Sequence, residues 1–371
     1  MAKKILVVGD WHSSIHEQPF SEGLSKNGLI VEKFKWYLYF DEFSGKGRLA
    51  AILSRIQDKY MFGFLVNRLN QDLISIVAKL QPDILFIYRG SHIYSKTLLA
   101  IKSSFPNIYL IGYNNDDPFS KLYPKWKWRH FNQSIPLYHL ILAYRHSNII
   151  QYQNKGAHQV DILRSWYLPW IHSKVSLDKL LHSPYTCDVI FIGHFENDGR
   201  IDILDFLASK QISIKIFGPT GSTKKSGWDE AIKHSIYLTN HAVTYLKGED
   251  YVLAINSAKI ALCFLSKLNN DTYTRRCFEI PACGTALFCE YSDDLANLFE
   301  DGVSIVLFRD KEELLTKISY YLSHPAELKI IAENGYQLMH EAGHDVYSRA
   351  AWLVNKYSLL SEPGKLNPNC N

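Results

Sequence analysis

Short runs of apolar, β-branched and aromatic residues recur along the chain, separated by longer stretches in which apolar positions return every three or four residues. The first pattern is that of buried strands and the second that of helices packed on one face, so their alternation predicts parallel sheets wrapped in helices. It occurs twice. In the first half the strands fall at 4–9, 29–36, 83–88, 108–113 and 140–143. A helical region spans about 48–80 with a break near Gly63, and a helix from Ser147 stops at Gly156, where glycine tolerates the left-handed conformation of a helix end. After YLPW (167–170) a polar stretch runs to Pro184, and the pattern restarts at Asp188. The second set of strands is 188–192, 214–217, 241–245, 260–264, 285–289 and 304–308. Asp310 and Glu313 have the spacing of a capping box, and helices over 325–341 and 345–357 are separated by Gly343.

A chain of 371 residues suits two cores, because single cores stop growing near about 250 residues. The expected divisions are a domain over 1–170, a second over 185–342, and a last helix, 345–360, crossing back to the first. With 47% hydrophobic and 21% charged residues, the disordered and fibrous classes are excluded. The apolar runs are strand length, well short of the roughly 20 residues of a membrane span. The basic start MAKK leads into a strand rather than a secretory signal, which predicts a cytoplasmic protein. Six cysteines (Cys187, Cys263, Cys277, Cys283, Cys289, Cys370) form no CxxC pair and no zinc spacing, and read as reduced, buried thiols with no metal. Residues 1–150 hold 19 Lys and Arg against 11 Asp and Glu, and the remainder 22 against 26, so the first half is basic. Its segments KFKWYLYF (33–40) and KWKWRHF (125–131) allow two readings: peripheral contact with an anionic membrane, or solvated lysines beside core aromatics. Nucleic acid is disfavoured, since the overall balance is modest and no binding motif is present.

Ligands of open parallel sheets bind beyond the carboxyl ends of the strands, which singles out four loops. GDWHSS (9–14) has one glycine and then the bulky Trp11, not the GxGxxG of a dinucleotide site, so a nicotinamide dehydrogenase is disfavoured. Its His12 is placed either to touch a substrate or merely at the surface. In YNNDDPF (113–119), Asp116 and Asp117 suit a general base or acceptors for sugar hydroxyls; the alternative is a polar turn. In GHFENDGR (193–200), Gly193 permits close backbone approach and Arg200 can reach a diphosphate, or is a structural arginine. NNDTYTRRCFEIPACGTALFCEY (269–291) is the richest: Arg275, Arg276 and Glu279 fall near one helical turn, and Gly284 and Thr285 lead into a strand. Guanidinium groups neutralise a diphosphate, and a carboxylate can hold both ribose hydroxyls, with Arg276 restraining it from one turn earlier.

The stretches RRCFEIPACGTALFCEYSDDLANLFEDG (275–302) and KEELLTKISYYLSHPAELKIIAENGYQ (311–337) resemble the glycosyltransferase group 1 domain of CgeB-like spore-maturation proteins. DDPF (116–119) and FIG followed by Arg200 are similar to their upstream motifs. The resemblance implies a GT-B α/β fold, two Rossmann-like domains with parallel sheets facing a central cleft. It implies a retaining, metal-independent transferase with no cofactor, moving sugar from a nucleotide-sugar donor in the second domain to a glycan, lipid-linked or protein acceptor in the first. The wider retaining superfamily carries two Glu residues separated by seven positions. The second resembles Glu279, implying a ribose contact; at the first stands Asp271, an Asp in place of Glu, implying a donor-sugar contact. Arg276 stands where CgeB-like proteins carry their arginine, implying a diphosphate contact. The alternatives are an epimerase or hydrolase of nucleotide sugars, or a non-catalytic nucleotide- or glycan-binding module, since fold alone does not choose among them.

Overall fold

The computed structural model describes residues 2–219 and 227–358. The chain forms two units, one made of the chain up to Ser165 together with the chain from Val346 onward, the other of Trp166–Asp345.

The first unit is built on a parallel sheet of six strands, β1 (Lys4–Gly9), β2 (Ile30–Lys35), β3 (Ile84–Tyr88), β4 (Tyr109–Asn114), β5 (Leu140–Ala143) and β6 (Val160–Ile162), in the order β2-β1-β3-β4-β5-β6. The central strands are continuous apolar runs because helices cover both faces, whereas the edge strand β2 is only partly buried. Leu69, Leu73 and Val77 of the helix Phe64–Leu80 pack into this core with Leu85 and Ile87. The helical region expected over 48–80 breaks near Gly63 into two helices, Arg48–Tyr60 and Phe64–Leu80, parted where Met61 (φ 53°) and Gly63 (φ 109°) turn left-handed. The helix Val346–Lys356 lies on the helix Glu17–Lys26, and Gly23 carries no side chain because a Cβ there would stand 2.8 Å from that of Ala350. Positions 359 and 360 of the expected last helix lie outside the described residues.

The second unit has β7 (Cys187–Ile192), β8 (Ile214–Phe217), β9 (Ala258–Cys263), β10 (Ala286–Glu290) and β11 (Val306–Phe308), in the order β11-β10-β9-β7-β8, again all parallel. Its ends are drawn tightly together at Gly218, where a Cβ would meet the Gly193 carbonyl at 2.2 Å. Both sheets reverse their winding once, between β1 and β3 and between β7 and β9, and such a reversal opens a crevice between the two loops that leave it.

Two expectations fail. Residues 241–245 are not a strand: Thr244 makes a lone bridge to Phe217, and the His241 ring, not its backbone, accepts the Ile216 N–H at 3.0 Å. The short β6 went unpredicted, being three residues of mixed polarity. In 33–40 and 125–131 the aromatics Phe34, Trp36, Phe40, Trp128 and Phe131 are buried and furnish core, while Trp126 is half-buried and Lys125 exposed. No helix among the described residues is long and apolar enough to cross a membrane. Cys187, Cys263, Cys277, Cys283 and Cys289 are free and buried; Cys370 lies outside the described residues.

Candidate functional site

In the second unit the crevice between β7 and β9 is framed by the loop from Gly193 and the loop from Phe264. Gly193 donates its N–H to the Phe217 carbonyl at 2.8 Å, and its own carbonyl accepts from Trp228 Nε1 at 2.9 Å. The two loops are joined where Ser266 Oγ donates to Glu196 Oε2 at 2.8 Å. Arg200 holds the first loop in shape: it is 5% exposed, its Nε and Nη2 meet both oxygens of Asp198 at 2.8 and 2.6 Å, and Nη1 donates to the His194 carbonyl at 2.7 Å. A guanidinium so engaged serves the loop.

A cavity of about 460 Å³ opens beyond the ends of β9, β10 and β11. Ser266, Lys267, Asn270 and Asp271 line it from the loop after β9, Glu290 to Ser292 from the end of β10, and Arg309 from the end of β11. The Arg309 guanidinium lies 3.8 Å over the Tyr291 ring. Glu290 accepts the Leu265 N–H at 2.6 Å; its burial raises its pKa above the usual carboxylate range, against the pull of that hydrogen bond and of Lys267. Two cations and two acids around one polar hollow suit a ligand that is both anionic and rich in hydroxyls.

Of the donor residues expected from sequence, Asp271 is the one that lines this cavity. Glu279, 6% exposed and on the helix Arg276–Ala282, does not line it and sits in a network of its own. Tyr251 Oη donates to its Oε2 at 2.7 Å, while Arg275 Nε and His172 Nε2 stand 3.6 and 3.7 Å from its Oε1. The nearer arginine is therefore Arg275, one full turn before the acid, and not Arg276 as expected. Burial pushes the Glu279 pKa up, but His172, the two arginines and Tyr251 outweigh it and hold the carboxyl below its ordinary value. The Leu168 N–H points at His172 Nδ1 from 2.9 Å, which leaves the ring proton on Nε2, toward Glu279. Burial depresses the pKa of this imidazole, against the attraction of Glu279. Arg276 is half-buried, and its Nε has no hydrogen-bond partner among the described residues. Gly284 (φ 75°) makes the turn into β10 under the Lys174 side chain, and Thr285 Oγ1 donates to the Ile255 carbonyl at 2.9 Å, so both shape the turn.

In the first unit, the crevice between β1 and β3 holds charges that sequence reading missed. Arg89, directly after β3 and left-handed (φ 64°), ion-pairs with Asp116 after β4 and stands 3.7 Å from Asp10 after β1. The position just beyond a strand, already used for the other loops, was the signal that points to Arg89. Tyr251 and His172 had none, being far from Glu279 in sequence. Asp117 turns inward: it is 2% exposed and its Oδ1 accepts the Phe119 N–H and Asn148 Nδ2, each at 2.9 Å, which makes it the anchor of the loop. His12 is exposed, with its N–H on Asp10 Oδ1 at 3.0 Å. Beneath them lies Glu17, 1% exposed, whose pKa is raised to about 7 by burial and by Asp10.

Residues 200–355 match a family model described as glycosyl transferase-like, and no curated protein matches the sequence. The fold is similar to sucrose-phosphate synthase from Thermosynechococcus elongatus, with a TM-score of 0.70 at 11% identity over 96% of this chain and 99% of that one. It is similar to HepE of Anabaena in complex with UDP-glucose, at 0.68 and 13% over 96% and 100%. A Listeria monocytogenes protein provisionally described as a UDP-N-acetylglucosamine 2-epimerase aligns at 0.57 and 11% over 98% and 99%. These likenesses show the GT-B fold.

Proposed function

We propose that this chain is a glycosyltransferase that takes its sugar from a nucleoside diphosphate bound in the second unit and delivers it to a glycan, lipid-linked or protein acceptor recognised by the first. The observation that carries this reading is the cavity over the ends of β9 to β11, lined by Lys267, Arg309, Asp271 and Glu290 and lying within the segment that matches the glycosyl transferase-like family. The diphosphate lies toward Lys267 and Arg309, whose charges stabilise it as it departs, with no metal required. Asp271 accepts hydroxyls of the donor. Glu279 acts through its neighbours, holding Arg275 and the Tyr251 hydroxyl in place, while Arg200 and Gly193 keep the loop after β7 closed on Ser266. On the acceptor side, Asp116 with Arg89, and the exposed His12, offer acceptors and donors for hydroxyl groups.

The test is calorimetry in a chelator with UDP, GDP, ADP and TDP, UDP first because HepE carries it. One of them should bind with a Kd of about 1 μM to 1 mM, the usual range for enzyme substrates. Arg309→Ala and Asp271→Asn should each weaken that binding about tenfold while leaving the melting temperature in place, since a hydrogen bond to a charged group supplies energy of that order. Absence of binding for every base, or binding indifferent to both substitutions, overturns the proposal. The likeness to the Listeria protein favours one other reading, an epimerase, which would convert UDP-N-acetylglucosamine with no acceptor present.

A further inference from the structure

The helix Arg48–Tyr60 is amphipathic with its faces exchanged. Leu49, Ile52, Leu53, Ile56 and Tyr60 are 79%, 52%, 49%, 41% and 38% exposed. At 3.6 residues per turn they fall within an arc of about 100°, one continuous stripe. The opposite side, turned to the protein, carries Ala50, Ala51, Ser54 and Gln57. It is fastened by hydrogen bonds: Ser54 Oγ donates to the Phe40 carbonyl at 2.8 Å, and Gln57 Oε1 accepts the Leu65 N–H at 2.9 Å. A helix that only roofed the core would show the reverse. Single exposed leucines are ordinary, but a contiguous stripe marks a surface that something covers. Phe62 and Phe64, each 53% exposed, extend it past the helix end, and the Trp126 ring lies tilted against Tyr60, 5.1 Å away, at its rim.

Charge identifies the occupant. Arg48, Arg55 and Lys59 are exposed along one flank of the stripe, with Lys46 just before it and Lys125 beside Trp126. The one acid of the helix, Asp58, points away from the stripe, its Oδ1 3.1 Å from His92 Nε2. An apolar stripe, an aromatic rim and a cationic flank are what an interfacial helix presents to acyl chains, headgroup level and anionic headgroups. We infer that this face docks the first unit onto an anionic lipid bilayer, with the helix Arg48–Tyr60 lying in the interface. The seat is braced: Arg129 Nη2 donates to the Tyr60 and Met61 carbonyls at 2.6 and 2.9 Å, and His92 ties the helix to the loop that carries Arg89. The inference stands on exposure and charge and is independent of the proposed activity.

The test is co-sedimentation of the full chain with vesicles of phosphatidylcholine alone and of phosphatidylcholine with phosphatidylglycerol. The protein should pellet with the anionic vesicles and be released by salt, which screens the cationic flank. Leu53→Glu with Ile56→Glu should cut binding by at least about tenfold, since each places a charge in the acyl region. Because these side chains face outward, melting should be unchanged; the milder pair Leu53→Ser with Ile56→Ser answers the same question should the acidic pair fold poorly. Arg55→Glu with Lys59→Glu should weaken binding to the anionic vesicles alone. Failure of the protein to pellet at low salt overturns the inference, as does binding that both stripe variants leave intact. Dimerisation abolished by Leu53→Glu with Ile56→Glu, without vesicle binding, assigns the face to a second copy and overturns it equally.

Discussion

Glu17 lies under the loop after β1 with its Oε2 unpartnered among the described residues, and its pKa of about 7 against an ordinary 4.5 makes it a source of pH-dependent stability. Because the folded value is the higher one, the group favours folding below pH 4.5 and loses that contribution as pH rises toward 7. The difference between these two values corresponds to about 3 kcal/mol. Glu17→Gln should therefore unfold at higher denaturant than the parent at pH 8, by up to about 3 kcal/mol, with the advantage gone at pH 4. Glu279 has the opposite sign. Its carboxyl is held below its ordinary value, so its contribution is present above pH 4.5 and fades as pH falls. Glu279→Gln leaves Arg275 and His172 facing a neutral amide, and should lower stability at pH 7 by about 1 to 3 kcal/mol, read from urea unfolding. Sequence alone marked Glu279 as an acid in an apolar segment that needed compensation; which groups supply it was legible only in part. Arg275 stands four residues away, at the start of the same helix, while Tyr251 and His172 arrive from other elements.

At the scale of elements, local chemistry was largely readable. Asp310 caps the helix Lys311–Ser323 by accepting the Glu313 N–H at 2.8 Å, and Glu313 returns the contact one residue early, to the Arg309 N–H. The helix break at Gly63 (φ 109°) and the stop at Gly156 (φ 85°) follow from glycine's tolerance of positive φ. Periodicity also announced the helix Arg48–Tyr60, but a period says that two faces differ and not which one turns inward. Where elements pack, glycine sets the distance. Gly23→Val would force a branched side chain against Ala350 and the Val346 carbonyl, which a Cβ already approaches to 2.8 and 3.2 Å. It should separate the helix Val346–Lys356 from Glu17–Lys26 and cost at least about 2 kcal/mol, seen as a lowered melting transition of the first unit.

Among the described residues each unit holds a buried core of its own, so calorimetry should resolve two unfolding transitions. A nucleoside diphosphate at saturating concentration should raise only the one that belongs to Trp166–Asp345, by about 2.7 kcal/mol at a hundredfold excess over Kd. A ligand that raised only the other transition would place the donor site in the wrong unit. The amino-acid sequence by itself determined that the chain forms strands and helices in alternation, twice, and hence two parallel sheets, because buried strands and amphipathic helices are written in periods of local hydrophobicity. It determined as well where loops leave the strands, and so where to look for chemistry. Tertiary structure alone decided the strand order that opens each crevice, the engagement of Arg200 and Asp117 by their own loops, and the outward turn of the Leu49 to Tyr60 stripe. Each of these depends on which distant surfaces meet, and burial, partner and pKa are properties of those meetings and not of a residue's neighbours along the chain.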